Sequence, residues 1–172
     1  MTAGVRKAAL VTHVVASVGW LGTVVAYLVL AMIGLTTRDA ELAAASYLAA
    51  DAVTRLAIVP LCIAAVITGL IQSLGTAWGL FRNYWVIAKL ALTLLGGALL
   101  FLHTSVISEV ALAACNATLT SDYRPLRVQM VADGVAAIVL LVVTTGLSVY
   151  KPRGLTPYGW RRQRAERGPT LM

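Results

Sequence analysis

Residues 8–37 read AALVTHVVASVGWLGTVVAYLVLAMIGLTT, without a single Asp, Glu, Lys or Arg. A helix that crosses the hydrocarbon core of a bilayer needs roughly 20 mostly apolar residues. The stretch exceeds that length. It also outruns the roughly 7–15 apolar residues of a signal peptide, despite the basic lead of Arg6 and Lys7. It predicts a retained transmembrane helix over about residues 8–34.

Three further stretches have the same character. Leu56 to Phe81 is uncharged, Tyr84 to Ser108 carries only Lys89, and Val128 to Tyr150 carries only Asp133. They place spans at about 55–77, 84–108 and 128–150. Such unbroken apolar runs exclude the alternating strands of a membrane β-barrel. The expected fold is all-α: a polytopic membrane four-helix bundle over residues 1–150, followed by a basic tail over 151–172. The whole chain agrees. Of its 172 residues 59% are hydrophobic and 12% charged, and the mean hydropathy is +0.84. That composition excludes a disordered chain, a disulfide-stapled secreted domain and an ordinary soluble enzyme. No Walker loop, GxGxxG, HExxH or GxSxG motif is present, so the reading leans away from an enzyme.

The net charge of +7 sorts by side of the membrane. One side receives Arg6, Lys7, Arg82, Lys89 and the tail residues Lys151, Arg153, Arg161, Arg162, Arg164 and Arg167. The other receives Arg38, Arg55, Arg124 and Arg127, together with Asp39, Glu41, Asp51, Glu109 and Asp122. Positive residues stay inside, which predicts that both termini are cytoplasmic. Trp78, Trp85 and Trp160 then fall at the cytoplasmic interface, where belt aromatics belong. Arg161, Arg162, Arg164 and Arg167 suit anionic lipid headgroups, each worth about 1 kcal/mol near the surface. Nucleic acid is not an expected partner, because the charge follows the membrane sides and no binding module is present.

The outer link from Thr36 to Thr54 opens on Asp39, a plausible N-cap, and is rich in alanine. It reads either as a short surface helix or as an extension of the second span. Pro125 suits the first turn of the fourth span, and Pro152 with Gly154 ends that span. Cys62 lies too deep to pair with Cys115, and no CxxC motif occurs.

Ionisable groups inside a span are expensive, so they are the first candidates for function. Four stand inside: His13, Lys89, His103 and Asp133. Lys89 and His103 are fourteen residues apart, near four helical turns, and share one face of the third span. His13, Ser17, Trp20, Val24 and Tyr27 form a stripe on the first span, read as a packing face. Two layers follow. The outer layer holds His103 and Asp133, with Arg55 at its mouth; the inner holds His13 and Lys89, with Gln72 and Ser73 at the same depth. Asp133 would orient the His103 ring, and the pair is the candidate metal site, with the carboxylate behind the ligand. Against this, His13 and Lys89 are close enough to the interface to snorkel, and a lone intramembrane histidine often serves helix packing. Small residues, Gly19, Gly22, Gly69, Gly96, Gly97, Gly134 and Gly146 among them, predict close helix packing within the bundle or between copies.

At Gly19-Trp20-Leu21-Gly22, Val59-Pro60-Leu61, Thr68 to Arg82, Trp85 to Leu90 and Leu147 to Gly159 the chain resembles a family of uncharacterised small integral membrane proteins of actinobacteria. The likeness covers nearly the whole chain. It implies a four-span fold and residence in a bacterial cytoplasmic membrane, and supplies no activity. The histidine followed by Trp20-Leu21-Gly22, and the early lysine of the third span, more distantly resemble the copper-resistance D membrane proteins. The family pattern implies histidine where Asn83 and Asp133 stand here. That departure removes two ligands a haem or copper site would use. Three functions follow. The first is a non-enzymatic module that binds or conducts an ion, proton or metal through its polar layers. The second is a structural or accessory subunit, as a homo-oligomer or beside another membrane protein. The third is a b-type haem or copper protein using His13 or His103.

Overall fold

The computed structural model describes residues 2–75, 81–150, 152 and 154–167. Four helices are long and apolar enough to cross a membrane, and the chain is a multi-pass helical bundle. Helix α1 spans Ala3–Thr36. Helix α2, Ala40–Val53, runs through a π-turn at Thr54–Ile58 directly into α3, Val59–Gly75. Helix α4 spans Tyr84–Cys115 and α5 spans Arg124–Tyr150. A short sixth helix, α6, covers Pro157–Arg167.

The surface explains why lipid is the natural solvent. Leu56 is 80% exposed, and Leu102, Val18 and Val149 are similarly open. A soluble monomer rarely presents so much contiguous apolar surface. The buried residues instead form one seam through the middle: Trp20, Val24 and Tyr27 of α1, Cys62 and Ala65 of α3, Met130 and Leu141 of α5.

The segment between Thr36 and Thr54 is not a surface helix. Asp39 caps α2 by accepting from the backbone N–H groups of Glu41 and Leu42. Ala43, Ser46, Tyr47 and Ala50 are then buried within the bundle. The second span is therefore longer than the expected 55–77 and begins at Ala40. At 34 residues α1 is about 51 Å long, well beyond a hydrocarbon core of about 30 Å. The connection between the first two spans is packed helix rather than loop. Charge had made this segment look like a link, yet the charge nearest the span, Asp51, is matched. Arg55 Nε bonds both Asp51 carboxylate oxygens at 3.0 Å, and a second Arg55 nitrogen donates to Ser108 of α4.

The π-turn has a covalent cause. Pro60 has no N–H, and its ring collides with the carbonyl four residues back in a regular helix. Inserting one wider turn just before it relieves that clash, with Val59 N–H reaching back to Thr54 O.

A clamp locks the far end of the bundle. Arg127 of α5 donates through Nε to the Tyr47 hydroxyl at 2.8 Å, and through its other nitrogen to Gly34 O at 2.7 Å. It thereby closes carbonyls left open at the C-terminus of α1, where a cation is favoured. Its guanidinium lies over the Tyr47 ring, 5.6 Å from the centroid.

The near end holds the start of α1 and the end of α5. Leu155 pairs with Asn83, and the Thr156 hydroxyl donates to Phe81 O at 2.5 Å, so the start of the tail is sewn to the α3–α4 hairpin. Trp78, Lys151 and Arg153 lie outside the described residues, as does the side chain of Arg167. Arg161, Arg162 and Arg164 stand exposed on α6, with Arg162 also donating to the Tyr158 hydroxyl at 3.2 Å. Five of the seven glycines singled out above meet another helix; Gly22 and Gly146 have nothing within 4 Å.

Candidate functional site

The two polar layers occupy different pairs of helices. In the inner one, the Thr68 hydroxyl donates to Ala64 O at 2.6 Å. Its oxygen therefore accepts from His13 Nδ1–H, 3.0 Å away, and His13 is tied to α3. The ring lies over Gly69, where an added Cβ would come within 3.2 Å of His13 Cε1. Gln72 reaches across to donate to Ala9 O at 2.9 Å. Lys89 lies close enough for its charge to act on His13. This layer reads as helix-to-helix stitching: the His13–Thr68 and Gln72–Ala9 contacts both join α1 to α3.

The outer layer is built differently. His103 Nδ1 of α4 lies 2.8 Å from Asp133 Oδ2 of α5. With Nδ1–H on the carboxylate, His103 Nε2 is an acceptor, and the Gln129 amide lies 3.4 Å from it. Arg55, at the mouth of the second span, binds Asp51 and Ser108. A cavity of about 120 Å³ opens beside the pair. Its floor is Trp20, Val24 and Tyr27 of α1, with Thr54 and Ile58 presented by the π-turn. The Thr54 hydroxyl is committed to Ala50 O at 2.8 Å. Leu99 of α4 and Ala136 of α5 line the cavity and are themselves exposed, so its mouth opens sideways between those helices. The His103 and Asp133 side chains, 30% and 31% exposed, stand near that mouth.

One atom of a residue lining this cavity is out of balance. Tyr27 is 4% exposed. Among the described residues its hydroxyl is the one buried side-chain nitrogen or oxygen with no hydrogen-bond partner. Leaving a buried hydroxyl unpaired costs about 1–3 kcal/mol. The sequence marks Tyr27 only as part of an apolar stripe, and nothing in that stripe signals an unmatched hydroxyl. Thr54 and Gln129 also escape sequence reading, because neither is costly enough in lipid to stand out.

The residues do not fit a bis-histidine haem or copper centre. His13 binds Thr68 and His103 binds Asp133; Lys89, beside His13, is fourteen residues or about 21 Å along α4 from His103. Among the described residues no three His, Cys, Asp or Glu side chains gather where one ion would sit. For His103 and Asp133, the carboxylate takes Nδ1 and leaves Nε2 as the single imidazole nitrogen that could ligate an ion.

Fold and site together define a multi-pass helical membrane protein with a laterally open internal cavity. Compared with known proteins, the chain matches no family model, no curated protein and no solved structure.

Proposed function

We propose that the chain is a non-enzymatic binding module that admits a small ligand from the bilayer into the cavity between α1, α4 and α5. The cavity that opens sideways beside the His103–Asp133 pair carries this reading. Apolar walls with a few convergent polar groups are the ordinary form of a small-molecule site. Conduction through both layers is the weaker reading. The core packed between the inner and outer groups includes Val24 and Ala65, whose side chains carry no exchangeable proton. The distribution of basic residues supports cytoplasmic termini. The resemblance to actinobacterial membrane proteins supports residence in a bacterial cytoplasmic membrane.

Extraction from the native membrane tests this. Wild-type protein purified under mild conditions should carry close to one small molecule per chain by native mass spectrometry. Ala137→Phe, which fills the cavity from its α5 wall, should carry none while keeping its helical circular dichroism. Identical spectra of bound species for both proteins would sink the proposal.

A further inference from the structure

The near end of the bundle carries a surface separate from the cavity. Residues 156–159 read Thr-Pro-Tyr-Gly and start α6. The Thr156 hydroxyl accepts from the Gly159 N–H at 3.0 Å as an N-cap, and Pro157 takes the first helical position, where no N–H is needed. The same hydroxyl donates to Phe81 O. Thr156 N–H donates to Arg82 O at 3.1 Å, and Gly154 O accepts from Tyr84 N–H at 3.2 Å. Gly159 packs so closely on the Arg82 carbonyl that an added Cβ would collide with it. Helix α6 is therefore fixed to the start of α4 by backbone contacts.

Docking decides which side of α6 stays open. Thr156 and Gly159 are buried and Gln163 is half-buried, at steps of three and four residues, so they share the docked side. Arg161 and Arg164, one turn apart, are exposed, and exposed Trp160 lies one turn before Arg164. The helix holds four arginines against one glutamate. Arg162 is engaged by the Tyr158 hydroxyl. Among the described residues Arg161 and Arg164 have no partner. The same end exposes Phe81 and Tyr84 at the start of α4, Tyr150 at the end of α5, and Tyr158 and Trp160 on α6. Aromatic side chains at the ends of spans lie at headgroup depth. A helix sewn to that level has its free arginines among lipid phosphates.

We propose that docked α6 is a binding surface for anionic bilayer lipid, with Arg161 and Arg164 on the lipid phosphate and Trp160 among the headgroups. The planar fork of arginine suits a phosphate. A zwitterionic lipid brings an ammonium that competes for its own phosphate; an anionic lipid does not. Polar along most of its length, α6 rests at the headgroups and does not enter the hydrocarbon. Single-stranded RNA offers similar phosphates, but a surface fixed at the ends of two spans already lies against lipid.

Native mass spectrometry of the full-length protein, titrated in detergent with dioleoyl phosphatidylglycerol or dioleoyl phosphatidylcholine, tests this. Wild type should prefer phosphatidylglycerol by about tenfold, and Arg161→Gln with Arg164→Gln should remove that preference, the scale of two charges near the surface. The control is Arg38→Gln with Arg124→Gln, which removes the same charge from exposed sites at the other end of the bundle and should keep the preference. Gly159→Ala retains every charge but pushes α6 off Arg82 O. It should lower the preference about fivefold, as if one arginine had left the layer. Equal binding of the two lipids by wild type overturns the proposal, as does equal loss in the two double variants. An unchanged preference in Gly159→Ala would show that a loose basic tail suffices, and the docked site falls. Capture of a single-stranded RNA oligonucleotide more tightly than phosphatidylglycerol, lost with Arg161 and Arg164, would assign the surface to nucleic acid instead.

Discussion

Gly34→Ala should destabilise the protein by about 2–3 kcal/mol, the range of an overpacked core. An added Cβ at Gly34 would lie 2.6 Å from Tyr47 Cζ and under 3.0 Å from two more atoms of that ring. The ring has nowhere to go. Tyr47 is fully buried, its hydroxyl is held by Arg127 Nε at 2.8 Å, and the same arginine binds Gly34 O. Moving Tyr47 therefore opens the contact that joins α1, α2 and α5 at one end. The control is Gly22→Ala, with nothing within 4 Å. There the gain in helix propensity, up to about 1 kcal/mol, stands alone. Thermal unfolding in one detergent should show Gly34→Ala melting well below wild type and Gly22→Ala level with it or above. Equal melting of the two variants would contradict the clamp.

The second large effect concerns the outer pair. Asp133→Leu leaves His103 Nδ1–H without its acceptor, and His103→Leu strands the carboxylate. Each single change should cost about 1–3 kcal/mol, the cost of a buried polar group left unmatched. Replacing both by leucine removes the mismatch along with the bond. The double variant should therefore be more stable than the Asp133→Leu single, with a coupling of about 1 kcal/mol, the scale of hydrogen bonds between membrane helices. Strict additivity in this cycle would mean that the 2.8 Å contact contributes nothing.

Hydropathy made the four spans readable, since unbroken apolar runs leave a helix in lipid as the only economical structure. The extent of the second span was not readable. Asp51 and Arg55 made the segment before it look like a solvated link, but they are four residues apart on one helix and cancel each other, with Ser108 completing the set. His103 and Asp133 stood out because each is costly in hydrocarbon, and their likeness in depth brought them together. Tyr27 did not stand out. Its importance is that its hydroxyl has no match, a property of three-dimensional placement that no residue type announces. The Arg127–Tyr47 contact joins residues eighty apart and had no local signal either. Pro60 offered a clue to the π-turn, since an interior proline must disturb the helix before it.

The central claim is that the cavity beside His103 and Asp133 is a ligand site reached from the bilayer. An experimental structure of the native protein in lipid, at a resolution that separates side chains, tests it most directly. The account predicts non-protein density in the cavity beside His103 and Asp133, continuous with the opening at Leu99 and Ala136. It is contradicted if His103 and Asp133 both face lipid with protein side chains filling the space between α1, α4 and α5.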